Sequence, residues 1–197
     1  MPELTEDITF RDEDWYAEDL ADRHFARCEF FWVDLTEAVS RGAVFTECTF
    51  GNVQFNASRH TDSAFTRCTF TRCNLFEVEF TGCKLVGSTF EQCDLRPLAV
   101  SGGDWSFVGL PGADLRGVRL TDVRMREADL TGVNLTGATV TGVDLSGAQL
   151  RGSRLGGADL RGSDLSALDP LAVERAGAIV DPEQAVLIVR ALGFEVR

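Results

Sequence analysis

Basic residues are scarce in this chain: 19 Lys and Arg stand against 31 Asp and Glu, a net charge of −12. Proteins that grip a phosphate backbone need a basic surface, so this balance argues against direct nucleic-acid binding. Histidine is scarcer still, with two residues, and any metal site would lack partners. No cofactor or metal is therefore expected. No stretch is apolar enough to span a membrane. Residues 1–20 are acidic, with neither the basic n-region nor the apolar h-region of a signal peptide. The expected location is the cytoplasm.

What the chain has is a period of five. From Phe10 to Leu165, 25 of the 32 positions at this spacing are Phe or Leu, and five more are Trp15, Val100, Trp105, Met125 and Val140. Only Ser40 and His60 break the rule. Two residues before each centre sits a small residue, such as Ala113, Val118, Ala128 or Val133. Residues two apart share a face only in an extended strand, so the centre and the small residue point inward together. Gly at the second position after the centre, as at 132, 137 and 142, suits a turn with positive φ. A short inward stretch followed by a corner, repeated, winds a solenoid, and four sides close a coil of 20 residues. These residues and spacings resemble the pentapeptide repeat family and its A(D/N)Lxx motif. The resemblance implies an all-β solenoid: a right-handed quadrilateral parallel β-helix of about eight coils, with a short C-terminal α-helix following. Stacked strands lie ~4.8 Å apart, which makes a rod of roughly 38 Å.

One core column runs Phe10, Phe30, Phe50, Phe70, Phe90, then Leu110, Leu130, Leu150. Phe thus fills the first half and Leu the second, and the first half is expected to have the wider or more irregular coils. The six cysteines, Cys28, Cys48, Cys68, Cys73, Cys83 and Cys93, all occupy the small inward slot. Ala, Val and Ser fill the same slot elsewhere, so Cys there acts as a small buried hydrophobe. Free thiols are expected, because stacked side chains point in parallel rather than converge as a disulfide needs.

Ser40 and His60 occupy centre slots of one column on adjacent coils. A catalytic pair would also need an orienting acid, an oxyanion hole and a pocket, which nothing in the sequence supplies. A buried polar pair, or a bulge turning both outward, is the plainer reading, and the protein is not expected to be an enzyme. Residues 101–112 interrupt the consensus with Gly102, Gly103, Gly109 and Pro111. Gly103 is read as making room for Trp105, and Phe107 as exposed.

After Leu165 the pattern stops, which divides the chain into a β-helix over 1–168 and a cap and dimerisation segment over 169–197. Asp181-Pro182-Glu183-Gln184 reads as a helix start, with Asp as N-cap and Pro at N1, and Gly193 as its terminator. Ala185, Ile188, Val189 and Leu192 form a face suited to covering the open end of the solenoid. Val186, Leu187 and Ala191, with Phe194 beyond them, exceed what one cap requires. Such an excess suits a homodimer through the C-terminal segment, a rod on the order of 80 Å.

Acidity is uneven. Residues 1–50 hold 13 acids against four Arg, whereas residues 51–100 are balanced at five each. One outward column reads Asp14, Asp34, Gln54, Asn74, Asp94, Asp114, Asn134. Asp or Asn in this slot also supports turns, so Glu37, Glu47, Glu77 and Glu91, in slots the repeat leaves free, are better candidates for recognition. The runs Ser63-Ala64-Phe65-Thr66-Arg67-Cys68 and Leu85-Val86-Gly87-Ser88, with the ending Val180-Asp181-Pro182-Glu183-Gln184, resemble the mycobacterial, Qnr-like fluoroquinolone-resistance branch of the family. That resemblance implies a dimeric rod mimicking DNA in shape and charge, which binds DNA gyrase and counters fluoroquinolones. A scaffold for another cytosolic complex is the alternative. A carbohydrate lyase on a β-helix fits less well, because such enzymes carry long loops around a cleft.

Overall fold

The computed structural model describes residues 4–197; of the acidic stretch over 1–20, residues 1–3 lie outside it. The chain winds as a parallel β-solenoid whose every rung pairs with the residue 20 positions on: Phe10 with Phe30, Phe45 with Phe65, Phe80 with Val100, Leu120 with Val140. Three sides carry short strands that stack into parallel sheets of four, five and six. The fourth, the Asp14 side, is joined by single bridges from Asp14 through Asp34, Gln54 and Asn74 to Asp94. Three residues suffice for a strand because only the centre must face inward before the chain turns. From Asp7 to Gly162 the corner residue two after each centre adopts positive φ, Pro97 excepted, as at Asp7 (56°), Glu77 (59°) and Gly137 (66°).

Phe rings stack rung upon rung: Phe30 on Phe50 at 4.9 Å, Phe50 on Phe70 at 4.8 Å and Phe70 on Phe90 at 4.5 Å between centroids. Burying each ring contributes roughly 1.5–3 kcal/mol. Trp105 closes this aromatic half against Phe80 and Phe90, and Leu side chains fill the axis beyond it. The two halves differ in their sides: 13 of the 15 strands end at or before Ser101, and single bridges between tight corners predominate afterwards.

Two sequence expectations need correction here. A Cβ on Gly103 would stand 2.1 Å from the Cys83 carbonyl oxygen and 2.8 Å from its nitrogen, so glycine is required by the backbone of the preceding coil rather than by Trp105. Phe107 is exposed, as read. The backbone ladder also does not stop at Leu165: Arg154 bridges Glu174, and Asp159 bridges Ile179. Pro170 and Arg175 take centre slots in this last stretch, which is why the apolar pattern fails while the coil continues past 168.

The helix α1 (Pro182–Ala191) follows, and Asp181 joins it to the coil. One carboxylate oxygen accepts the Gln184 N–H at 2.9 Å, and the other accepts the Gly162 N–H at 2.9 Å. Gln184 is buried and donates its amide to the carbonyls of Leu160 and Ser163, both at 2.7 Å. The Leu160 carbonyl also accepts the Ser163 N–H at 3.1 Å, whereas the Ser163 carbonyl at the end of the coil needs a donor, so a polar residue takes the deepest place on the helix. Ala185 and Ile188 are partly buried beside it, but Val189 and Leu192 remain exposed and do not cap the end as expected.

Candidate interaction surface

The polar groups around His60 inside the coil form a closed chain, not an open catalytic pair. Ser40, Ser58, His60 and Ser63 are all buried. Ser63 Oγ donates to the Thr61 carbonyl, so its oxygen must accept from Ser40 Oγ at 2.9 Å. Ser40 then accepts from His60 Nδ1 at 2.7 Å, and Nε2 accepts from Ser58 Oγ at 3.0 Å. Every proton has one place, and the neutral Nδ1–H tautomer follows. Burial pushes the His60 pKa from 6.5 down to about 3. With no path to solvent, Ser40 has no substrate to attack.

The six cysteines follow the same accounting and are all free. Each thiol donates to the carbonyl of a centre residue 23 positions earlier, as Cys73 to Phe50 (3.2 Å), Cys83 to His60 (3.2 Å) and Cys93 to Phe70 (3.4 Å). Ser88 and Ser163 make the same contact from the same slot. Burial pushes the Cys83 thiol up to about 11. Among the described residues, no group of three His, Cys, Asp or Glu side chains is placed to hold a metal ion.

The outer surface sorts the eight acids into two sets. Glu47 is paired with Arg67 at 2.7 Å, and Asp114 with Arg96 at 3.2 Å and Arg116 at 2.7 Å. The Arg116 hydrogen bond holds Asp114 below the usual carboxylate range. Asp14, Asp34, Glu37, Glu77, Glu91 and Asp94 make no ion pair among the described residues. Asp14, Asp34 and Asp94 each accept the backbone N–H two residues on, at 3.0, 2.8 and 3.3 Å. They support the turns, yet a carboxylate with one such bond keeps its charge and a second oxygen for a partner. Five of the six share one side and its following corner: Asp14, Asp34 and Asp94 on the rungs, Glu37 and Glu77 at the corner. Glu91 lies on another side, and the eight do not form one patch.

Sequence reasoning missed the aromatic residues of that same side. Tyr16, Trp32 and Phe76 are 54%, 51% and 41% exposed, and their outward and corner slots were the available signal.

Models of pentapeptide repeats match residues 24–59, 110–137 and 128–166, and a model of a pentapeptide repeat region matches residues 43–120. The chain belongs to the pentapeptide repeat family. Among curated proteins none matches it. Among solved structures, this pentapeptide repeat chain is similar to a trypsin-treated form of QnrB1, a plasmid-mediated fluoroquinolone resistance protein. They share 22% identity over 98% of this chain and 99% of that one, with a TM-score of 0.77. A second trypsin-treated form of QnrB1 matches at 19% identity over 99% and 100%, with a TM-score of 0.72. Such likenesses support a Qnr-like pentapeptide repeat fold.

Proposed function

We propose that this pentapeptide repeat protein is a binding protein and not an enzyme: a DNA-mimicking rod that engages DNA gyrase, modulates or inhibits it, and protects against fluoroquinolones or related poisons. The observation that carries the reading is the row of unpaired carboxylates along the N-terminal half of a rigid solenoid, on a fold shared with QnrB1. Rungs step by ~4.8 Å, longer than the ~3.4 Å phosphate rise per DNA strand. The mimicry is therefore of a charged rod and not of individual phosphates. A rod of stacked coils loses little conformational entropy on binding, and it could occupy a basic surface that gyrase uses for DNA. Exposed Leu187 and Phe194, with Val186 and Ala191 beside them, support a homodimer through the C-terminal segment. Six free thiols, five of them buried, suit a reducing, cytoplasmic compartment, and among the described residues no helix is long and apolar enough to cross a membrane.

The test is inhibition of gyrase supercoiling by purified protein over a salt series. Inhibition should weaken steeply with salt, since exposed charges are screened over ~10 Å at 0.1 M. Glu37→Lys, Glu77→Lys and Asp94→Lys together should weaken it by about tenfold or more, because each adds repulsion to a lost contact on that row. Glu47 is left alone, since Lys there would face Arg67. Arg151→Ser with Arg161→Ser should change little. A folded triple variant that inhibits at wild-type concentrations would sink mimicry; no inhibition by wild type would favour the scaffold reading.

A further inference from the structure

Three aromatic side chains flank the acidic side, and none contributes to the core. Tyr16 and Phe76 stand in one column three rungs apart, about 14 Å at the strand spacing, and Trp32 stands at the opposite corner. Asp14 and Asp34, bridge partners on successive rungs, lie between them. The Tyr16 hydroxyl meets Glu37, which raises its pKa.

Trp32 has φ +55°, a conformation that bulky side chains rarely adopt and that marks stored strain. Glycine would relieve it, as it does at many corners of this solenoid. Other non-glycine corners share the strain, Phe107 among them; what sets Trp32 apart is a half-exposed ring at the edge of the acidic side, within reach of a partner that the carboxylates attract. The surface already holds the contact type: the Arg11 guanidinium lies 5.0 Å from the ring centroids of both Phe31 and Trp32.

We propose that the first four coils of this side form a docking ledge for an arginine-bearing segment of a protein partner. Guanidinium groups stack on aromatic faces better than lysine ammonium does, and the flanking carboxylates complement their charge. DNA mimicry alone needs only the carboxylates; the rings make this a surface for protein. The ledge rests on the gyrase reading for the identity of its partner only, and its test separates the two.

Deca-arginine and deca-lysine peptides are titrated into the purified full chain by calorimetry. Wild type should bind deca-arginine several-fold more tightly than deca-lysine. Tyr16→Ser, Trp32→Gly and Phe76→Ser together should abolish that preference while leaving general affinity for cations. Trp32→Gly alone, a change that cannot disturb the core, should reduce the preference and raise the melting temperature. Phe107→Gly relieves the same strain at another corner (φ +60°) and should leave the preference intact. Equal affinity of wild type for both peptides overturns the ledge, as does an undiminished preference in the folded variants. Supercoiling inhibition by wild type, measured separately, reports on gyrase: its absence beside an intact peptide preference rejects gyrase and retains the ledge.

Discussion

Acid should destabilise this protein well before its carboxylates protonate, and His60 is the cause. Its folded-state pKa lies near 3 against an ordinary 6.5 because the ring is buried. Between those values the unfolded chain binds a proton that the folded chain refuses. Stability is therefore full above pH 6.5 and falls by about 1.4 kcal/mol per pH unit as pH drops toward 3. The whole gap corresponds to about 5 kcal/mol, and the step from pH 6.5 to 4.5 to about 3 kcal/mol. Low-lying carboxylates such as Asp114, beside Arg116, and Asp181, beside the Gln184 and Gly162 N–H groups, lose their contribution only as pH falls below about 3.8. The upper window therefore isolates the histidine. Denaturant melts at half-unit steps from pH 7.5 to 4.5 should show this slope in wild type and lose it in His60→Phe. That variant extends the column in which His60 already stacks on Phe80 at 5.1 Å, and stranding Ser40 and Ser58 lowers its stability equally at all pH. Nitrogen NMR at pH 7 should find the Nδ1–H tautomer. A flat wild-type profile, or the same slope in His60→Phe, would refute the argument.

Thiol titration in denaturant without reductant should count six free cysteines, and four or fewer would reveal a disulfide. In the native protein the same reagent should react slowly, since burial holds thiols such as Cys83 protonated. Leu187→Asp or Phe194→Asp should halve the mass seen by light scattering while circular dichroism of the solenoid stays unchanged, because coils depend on their neighbours only. Unchanged mass in both variants would place any dimer contact elsewhere.

The fold was legible because one spacing governs strand, corner and core at once. The slot two before each centre told that Cys73 and Cys83 are inward, although not that each would find a carbonyl 23 residues back. The Glu47–Arg67 pair follows from a 20-residue offset and could have been read from the sequence. Arg96 reaching Asp114 could not, because its offset is 18 residues rather than 20 and depends on a long side chain reaching diagonally across the rungs. Pro170 and Arg175 hid the last stretch of coil, since backbone hydrogen bonds hold a rung whose centre is no longer apolar. Gln184 hid the seal in the same way: the Ser163 carbonyl at the end of the coil, whose need is invisible in sequence, selected an amide over the apolar face of its helix.

The corner slot is where stability and recognition compete. Positive φ favours glycine, and beyond residue 100 the corners are mostly glycine, from Gly112 and Gly117 to Gly157 and Gly162. Before residue 100 they are mostly Asp, Glu, Arg, Ala and Trp32 in the same conformation, each costing on the order of 1 kcal/mol or more. Burial of stacked Phe in that half offsets the strain, which the thinner Leu core would do less well. Glu37 and Glu77 on the acidic side stand in such corners, as Trp32 does. A glycine corner is more stable but presents nothing to a partner. Aromatic packing thus lets the first half carry a charged and aromatic exterior, while the second half, with its glycine corners, supports it and ends in the segment proposed to join two copies.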